Sequence, residues 1–188
     1  AGSGTQTEGL VYGGTTGSNT AVTEAWDGTS WTEVADMATA RSTNGGAGTT
    51  TATAVTFGGE SPVTTATENW TTTPAANFTK QNLGQVYYNS TTSSFKVTEQ
   101  PVPGGTWASG GSLNDGRSSL TGIGIQTAVV AVSGQDSTTS LIASVEEYNG
   151  SVWAEVNNTP VTLKYHGAGG ILTAGWIAGG LTTYNGTA

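Results

Sequence analysis

The chain has 188 residues, 35% hydrophobic and 10% charged, and its 29 glycines stand where surface helices would need Ala, Leu, Glu and Lys, which excludes a helix-rich or Rossmann-type enzyme. Thirteen acidic against five basic residues leave a net charge of −8, which repels phosphate backbones and excludes nucleic acid as the expected ligand. Cys is absent, which removes disulfides, thiolate metal sites and cysteine nucleophiles, and no apolar run is long enough for a membrane span, so membrane insertion is not expected.

In chain order, the segment GTQTEGLVYGG (Gly4 to Gly14) recurs as GTTTATAVTFGG (Gly48 to Gly59), GIQTAVVAVSG (Gly124 to Gly134) and GILTAGWIAGG (Gly170 to Gly180). The closing glycines Gly14, Gly59, Gly134 and Gly180 are spaced 45, 75 and 46 residues apart, so one period carries about 30 extra residues. After Gly14, Gly59 and Gly134 comes an aromatic phrase: TEAWDGTSW (Thr23 to Trp31), TENW (Thr67 to Trp70) and VEEYNGSVW (Val145 to Trp153). These form two columns, Trp26, Trp70 and Tyr148, then Trp31, Trp107 and Trp153. Asp-Gly and Asn-Gly between the paired aromatics predict tight hairpins with type I′ turns. In the second repeat Trp70 and Trp107 are far apart, which places the extra segment inside that hairpin.

A basic residue follows the second aromatic by ten or eleven positions, making Arg41, Arg117 and Lys164 equivalents. They are the expected partners of Glu24, Glu68 and Glu146, each two residues before the first aromatic. The reading is a repeat of about four short strands per period. Residues 1–72 and 105–188 carry repeats, the last one cut short, and residues 73–104 carry an insertion. Within the insertion, Val86, Tyr88, Phe95 and Val97 alternate around a polar turn and predict one more hairpin.

This unit, with Gly-Gly after an apolar strand and paired aromatics flanking a hairpin, resembles the Kelch repeat, and its phrasing resembles the Kelch-like arrays of bacteriophage virion proteins. The segment GQVYYNSTTSSFKV resembles a module of phage fibre proteins. The resemblance implies an all-β Kelch-like β-propeller segment of about three and a half blades, each of four short antiparallel strands, with an inserted β-hairpin. Ser133-Gly134 departs from the Gly-Gly pair, and Lys164 stands where Arg is commoner. The resemblance further implies a non-enzymatic fibre- or spike-like structural protein at the virion surface, displaying a propeller for host attachment. Alternatives are a capsid-decorating or tail-connecting protein, or a bacterial surface or filament protein. The expected partners are other virion proteins, copies of the chain, or a host glycan or protein. An array cut within a repeat also leads us to expect that residues 1–188 alone are unstable or oligomeric.

No catalytic, cofactor or metal set is expected. His166 is the one histidine and cannot by itself form a zinc site. A carboxylate recurring once per repeat is placed by the repeat, so Glu24, Glu68 and Glu146 read as ion-pair partners rather than glycosidase acids. Calcium at Asp27 or Asp136 lacks an Asp-rich ligand loop. The columnar aromatics are expected to fill the spaces between blades. Tyr87, Tyr88 and Tyr184 lie outside the columns and are the candidate binding residues at the surface.

Overall fold

The computed structural model describes residues 1–60, 62–72, 86–97 and 104–182. All regular structure among them is β-strand, in antiparallel pairs. The first sheet is a meander of β1 (Gly2–Gly4), β2 (Gly9–Thr15), β3 (Asn19–Trp26) and β4 (Trp31–Val34). The second has β5 (Gly45–Thr50), β6 (Thr53–Phe57) and β7 (Thr67–Thr72). The short hairpin of β8 (Val86–Asn89) and β9 (Ser94–Val97) comes next in the chain, and β10 (Gly105–Ser109) then returns to pair with β7. β11 (Thr121–Ile125), β12 (Ala128–Gln135), β13 (Leu141–Tyr148) and β14 (Trp153–Val156) form the third sheet, and β15 (Gly167–Ile171) with β16 (Ala174–Ala178) form a two-stranded fourth.

The first strands lie side by side in sequence order, β1 against β5, β5 against β11 and β11 against β15. Their glycines permit this approach: a Cβ on Gly122 of β11 would stand 2.6 Å from the Gly46 carbonyl oxygen of β5. Apolar residues of each sheet then meet those of the next. Leu10, Tyr12 and Ala25 pack with Ala54 and Trp70 between the first two sheets. Val55 and Phe57 pack with Val129, Ala131, Tyr148 and Trp153 between the second and third. Ile123, Val132 and Val145 meet Ala168 and Ile177 beyond. The core therefore lies between sheets, which is why a central strand such as β12 is buried over most of its length.

The paired aromatics face each other across the third and fourth strands: Trp26 opposite Trp31, Trp70 opposite Trp107, and Tyr148 opposite Trp153. Because Thr72 pairs with Gly105, the long segment leaves and re-enters the second sheet at this hairpin. The turns themselves differ from the expected type I′ form. Four residues connect Trp26 to Trp31, and Asp27 Oδ1 accepts the backbone N–H of Thr29 and Ser30, both at 2.8 Å. Asn149 Oδ1 does the same for Ser151 and Val152 at 3.0 Å. Once the Asx side chain holds these donors, a single left-handed residue suffices, Gly28 at φ 92° and Gly150 at φ 94°.

The glycine pairs close onto the connections between sheets. Gly14 N donates to Arg41 O and Gly59 N to Arg117 O at 2.9 Å, and Gly134 N donates to Leu163 O at 2.8 Å. Thr43, Ser119 and Tyr165, two residues beyond each acceptor, all have φ between 51° and 55°. Both patterns align Arg41 and Arg117 with Leu163. Lys164 is thus not the third member of the arginine series; it corresponds to Ser42 and Ser118, and like them it bridges to the residue after a glycine pair, Leu181. The eleven-residue spacing after Trp153, against ten elsewhere, reflects this one-residue offset. Ser133, in place of the first glycine, adopts φ 51° and keeps the bulge found at Gly13.

Candidate functional site

Two features concentrate chemistry: the buried charges beneath the connections, and the exposed face of the 86–97 hairpin. Arg41 and Glu68 are both buried, 1% and 3% accessible. Its Nη2 donates to Glu68 Oε1 at 2.5 Å, and its Nη1 to the carbonyls of Gly58 and Ala66. Glu68 Oε2 accepts the Ala38 backbone N–H at 2.7 Å. The third sheet repeats this scheme. Arg117 Nη2 meets Glu146 Oε1 at 2.6 Å, Nη1 donates to Ser144 O, and Glu146 Oε2 accepts the Asn114 N–H at 2.7 Å. Burial pushes the Arg117 pKa below its usual value, opposed by the nearby charges of Glu146, Asp115 and Glu155.

Each arginine therefore pairs with the glutamate on the third strand of the sheet that follows it, two residues before the first aromatic. Each pair fastens a connection onto the next sheet. Glu24, before the first connection, is exposed and forms neither of the two ion pairs found among the described residues. Lys164 donates to Gln135 Oε1 at 2.9 Å, while Gln135 Nε2 donates to Glu60 Oε1 at 3.3 Å, so the glutamine amide relays between a cation and a carboxylate that do not touch. Glu60 and Gln135 were not foreseen; each directly follows a closing glycine, which was the available signal.

The aromatic columns divide. Trp107 Nε1 donates to Thr23 Oγ1 at 3.1 Å and Trp153 Nε1 to Thr67 Oγ1 at 3.0 Å, each reaching the preceding sheet. The rings continue the contact, Trp107 against Tyr12 at 5.1 Å and Trp153 against Phe57 at 4.8 Å between centroids. Trp70 and Tyr148 are buried beside them. Trp26 is half-buried, and Trp31, which has no preceding sheet in this structure, is 50% exposed, so these two do not fill an inter-sheet space.

On the hairpin, Val86 pairs with Val97 and Tyr88 with Phe95, which places all four on one face. All four are exposed, Phe95 the most at 75%. Tyr88 and Phe95 rings meet edge-on at 5.3 Å. Of the three tyrosines singled out from the sequence, Tyr88 lies on this face; the Tyr87 side chain and Tyr184 fall outside the described residues. Phe95 was not singled out, although its alternation with Val97 places it beside Tyr88.

His166 is 6% exposed, with neither ring nitrogen bonded to a protein partner, and burial holds its pKa below the ordinary value. Asp27 and Asp136 are occupied in capping turns. Hydrogen bonds hold both pKa values low, from the Ser30 and Thr29 backbone for Asp27 and chiefly from the Thr138 hydroxyl for Asp136. Among the described residues no three of His, Cys, Asp or Glu are grouped to hold a metal. A scan against protein-family models finds no match, and a search of the curated proteins likewise finds none.

Proposed function

We propose that this chain is a non-enzymatic structural component of a phage virion, a fibre- or spike-like protein whose sheets are consecutive blades of a Kelch-like propeller and whose 86–97 hairpin makes the contact with a host surface. The observation that carries the reading is the apolar face of Val86, Tyr88, Phe95 and Val97, exposed together on a two-stranded sheet. Stacked aromatic and aliphatic groups of this kind suit the apolar face of a sugar ring or a protein surface. In contrast, Arg41 with Glu68, Arg117 with Glu146, and the buried aromatics Trp70, Tyr148 and Trp153 are consumed in holding sheets together. The propeller component is supported by the meander order within each sheet and the side-by-side first strands.

Three measurements test this. Immuno-gold labelling should mark the virion surface. A glycan array and host-cell binding should be positive for the wild type and lost in Tyr88→Ser/Phe95→Ser; binding by neither protein means an inert decoration. A cryo-microscopy map should show the sheets radiating from their first strands, and a linear stack rejects the propeller.

A further inference from the structure

The two buried ion pairs are built alike except at one position. Asn114, whose backbone N–H caps Glu146, also turns its carboxamide inward, and Nδ2 donates to Glu146 Oε2 at 2.9 Å. Ala38 occupies the same position before Glu68 and caps it with the backbone N–H alone. Beside it lies a cavity of about 160 Å³ with Arg41, Thr67 and Glu68 at its buried base and Ala38, Thr39 and Ser109 exposed at its rim. One repeat thus carries a covalently attached occupant, and the other carries an open space next to the same carboxylate.

We propose that this cavity is a binding site for a primary carboxamide, a small ligand or an asparagine or glutamine side chain of a partner, whose N–H donates to the Glu68 carboxylate as Asn114 does to Glu146. A neutral donor fits the electrostatics. Arg41 already balances Glu68, so an ammonium group would add an unbalanced charge beside a buried guanidinium, whereas a carboxamide adds hydrogen bonds and no charge. The space admits a small group, up to about the size of a single six-membered ring, and not a drug-sized molecule.

The test is an NMR titration of the isotope-labelled chain with acetamide, alongside methylammonium. Acetamide should give saturable shifts at the amides of Ala38, Thr39 and Ser109, and methylammonium none. Ala38→Asn supplies the missing side chain and should abolish those shifts. Asn114→Ala should open the matching space and add a second saturable set at Asp115 and Ser144. The site is rejected if acetamide produces no saturable shift in the wild type, which leaves it a water-filled space. It is also rejected if the response persists in folded Ala38→Asn, or if methylammonium binds more tightly. The wild-type comparison of the two probes stands even where a variant fails to fold.

Discussion

Arg117 and Glu146 meet at 2.6 Å with both side chains fully buried, and the arginine belongs to the connection that precedes the sheet holding the glutamate. Removing one partner leaves a charge in a place water cannot reach. Arg117→Met should therefore lower stability by about 3–5 kcal/mol. Arg117→Met/Glu146→Leu should recover most of that loss, since the chain itself places Leu163 at the arginine position before the fourth sheet. Urea denaturation of both variants measures the coupling; equal losses would count against an unpaired-charge penalty.

The tryptophans of the second column should differ sharply in their energetic weight. Trp153→Phe removes the buried bond to Thr67 and leaves its hydroxyl oxygen without that donor, at a cost of about 1–3 kcal/mol. Trp31→Phe changes a half-exposed ring and should stay within about 0.5 kcal/mol of the wild type. Denaturation midpoints of the two variants give the comparison directly.

Sequence periodicity made the sheets, the paired aromatics and the point of insertion legible, because these follow from residue type at fixed spacing. Partner choice was harder. Glu24, Glu68 and Glu146 look alike in sequence, but only a connection folded beneath the next sheet decides that Arg41 meets Glu68. The offset of Lys164 is a matter of backbone register, set by which carbonyl receives Gly134 N–H, and side-chain chemistry pointed to the wrong residue. Among the surface candidates, alternation was sufficient to group Tyr88 with Phe95. The cavity at Ala38 emerges only when Ala38 is aligned with Asn114, a contrast between two ordinary residues that carries no motif.

Acid should weaken the fold through His166. The buried ring has a lowered pKa, so the unfolded chain takes up a proton near pH 6.5 before the folded chain does. This contribution is fully present above that value and is lost as pH falls from there through the lower folded pKa. His166→Leu, which copies Leu120 at the corresponding position, should flatten the decline that begins below about pH 6.5. Denaturation midpoints measured as pH is lowered from neutrality decide it, and an unchanged slope assigns the decline to other groups.

Gly13→Ala should destabilise by about 1–3 kcal/mol, because φ is 65° there and a Cβ would stand 2.7 Å from Arg41 O. Ser133 holds a side chain in the same conformation with Oγ bonded to Thr159 Oγ1 at 3.0 Å. Ser133→Gly relieves the left-handed backbone but gives up that bond, so its thermal midpoint should move little compared with Gly13→Ala.

The direction of the ion pairs fixes where such a protein can be cut and rejoined. Since Arg41 and Arg117 lie in the connections and serve the sheets that follow, the transplantable cassette begins just after the fourth strand, at the connection, and not at the first strand of a sheet. An excision that starts at β5 would carry Glu68 away from Arg41. Recombination or gene duplication that kept the cassette whole would keep Arg41 with Glu68 and Arg117 with Glu146. By the same rule, the connection bearing Leu163 brings no arginine to that position, so the joints between units are not interchangeable.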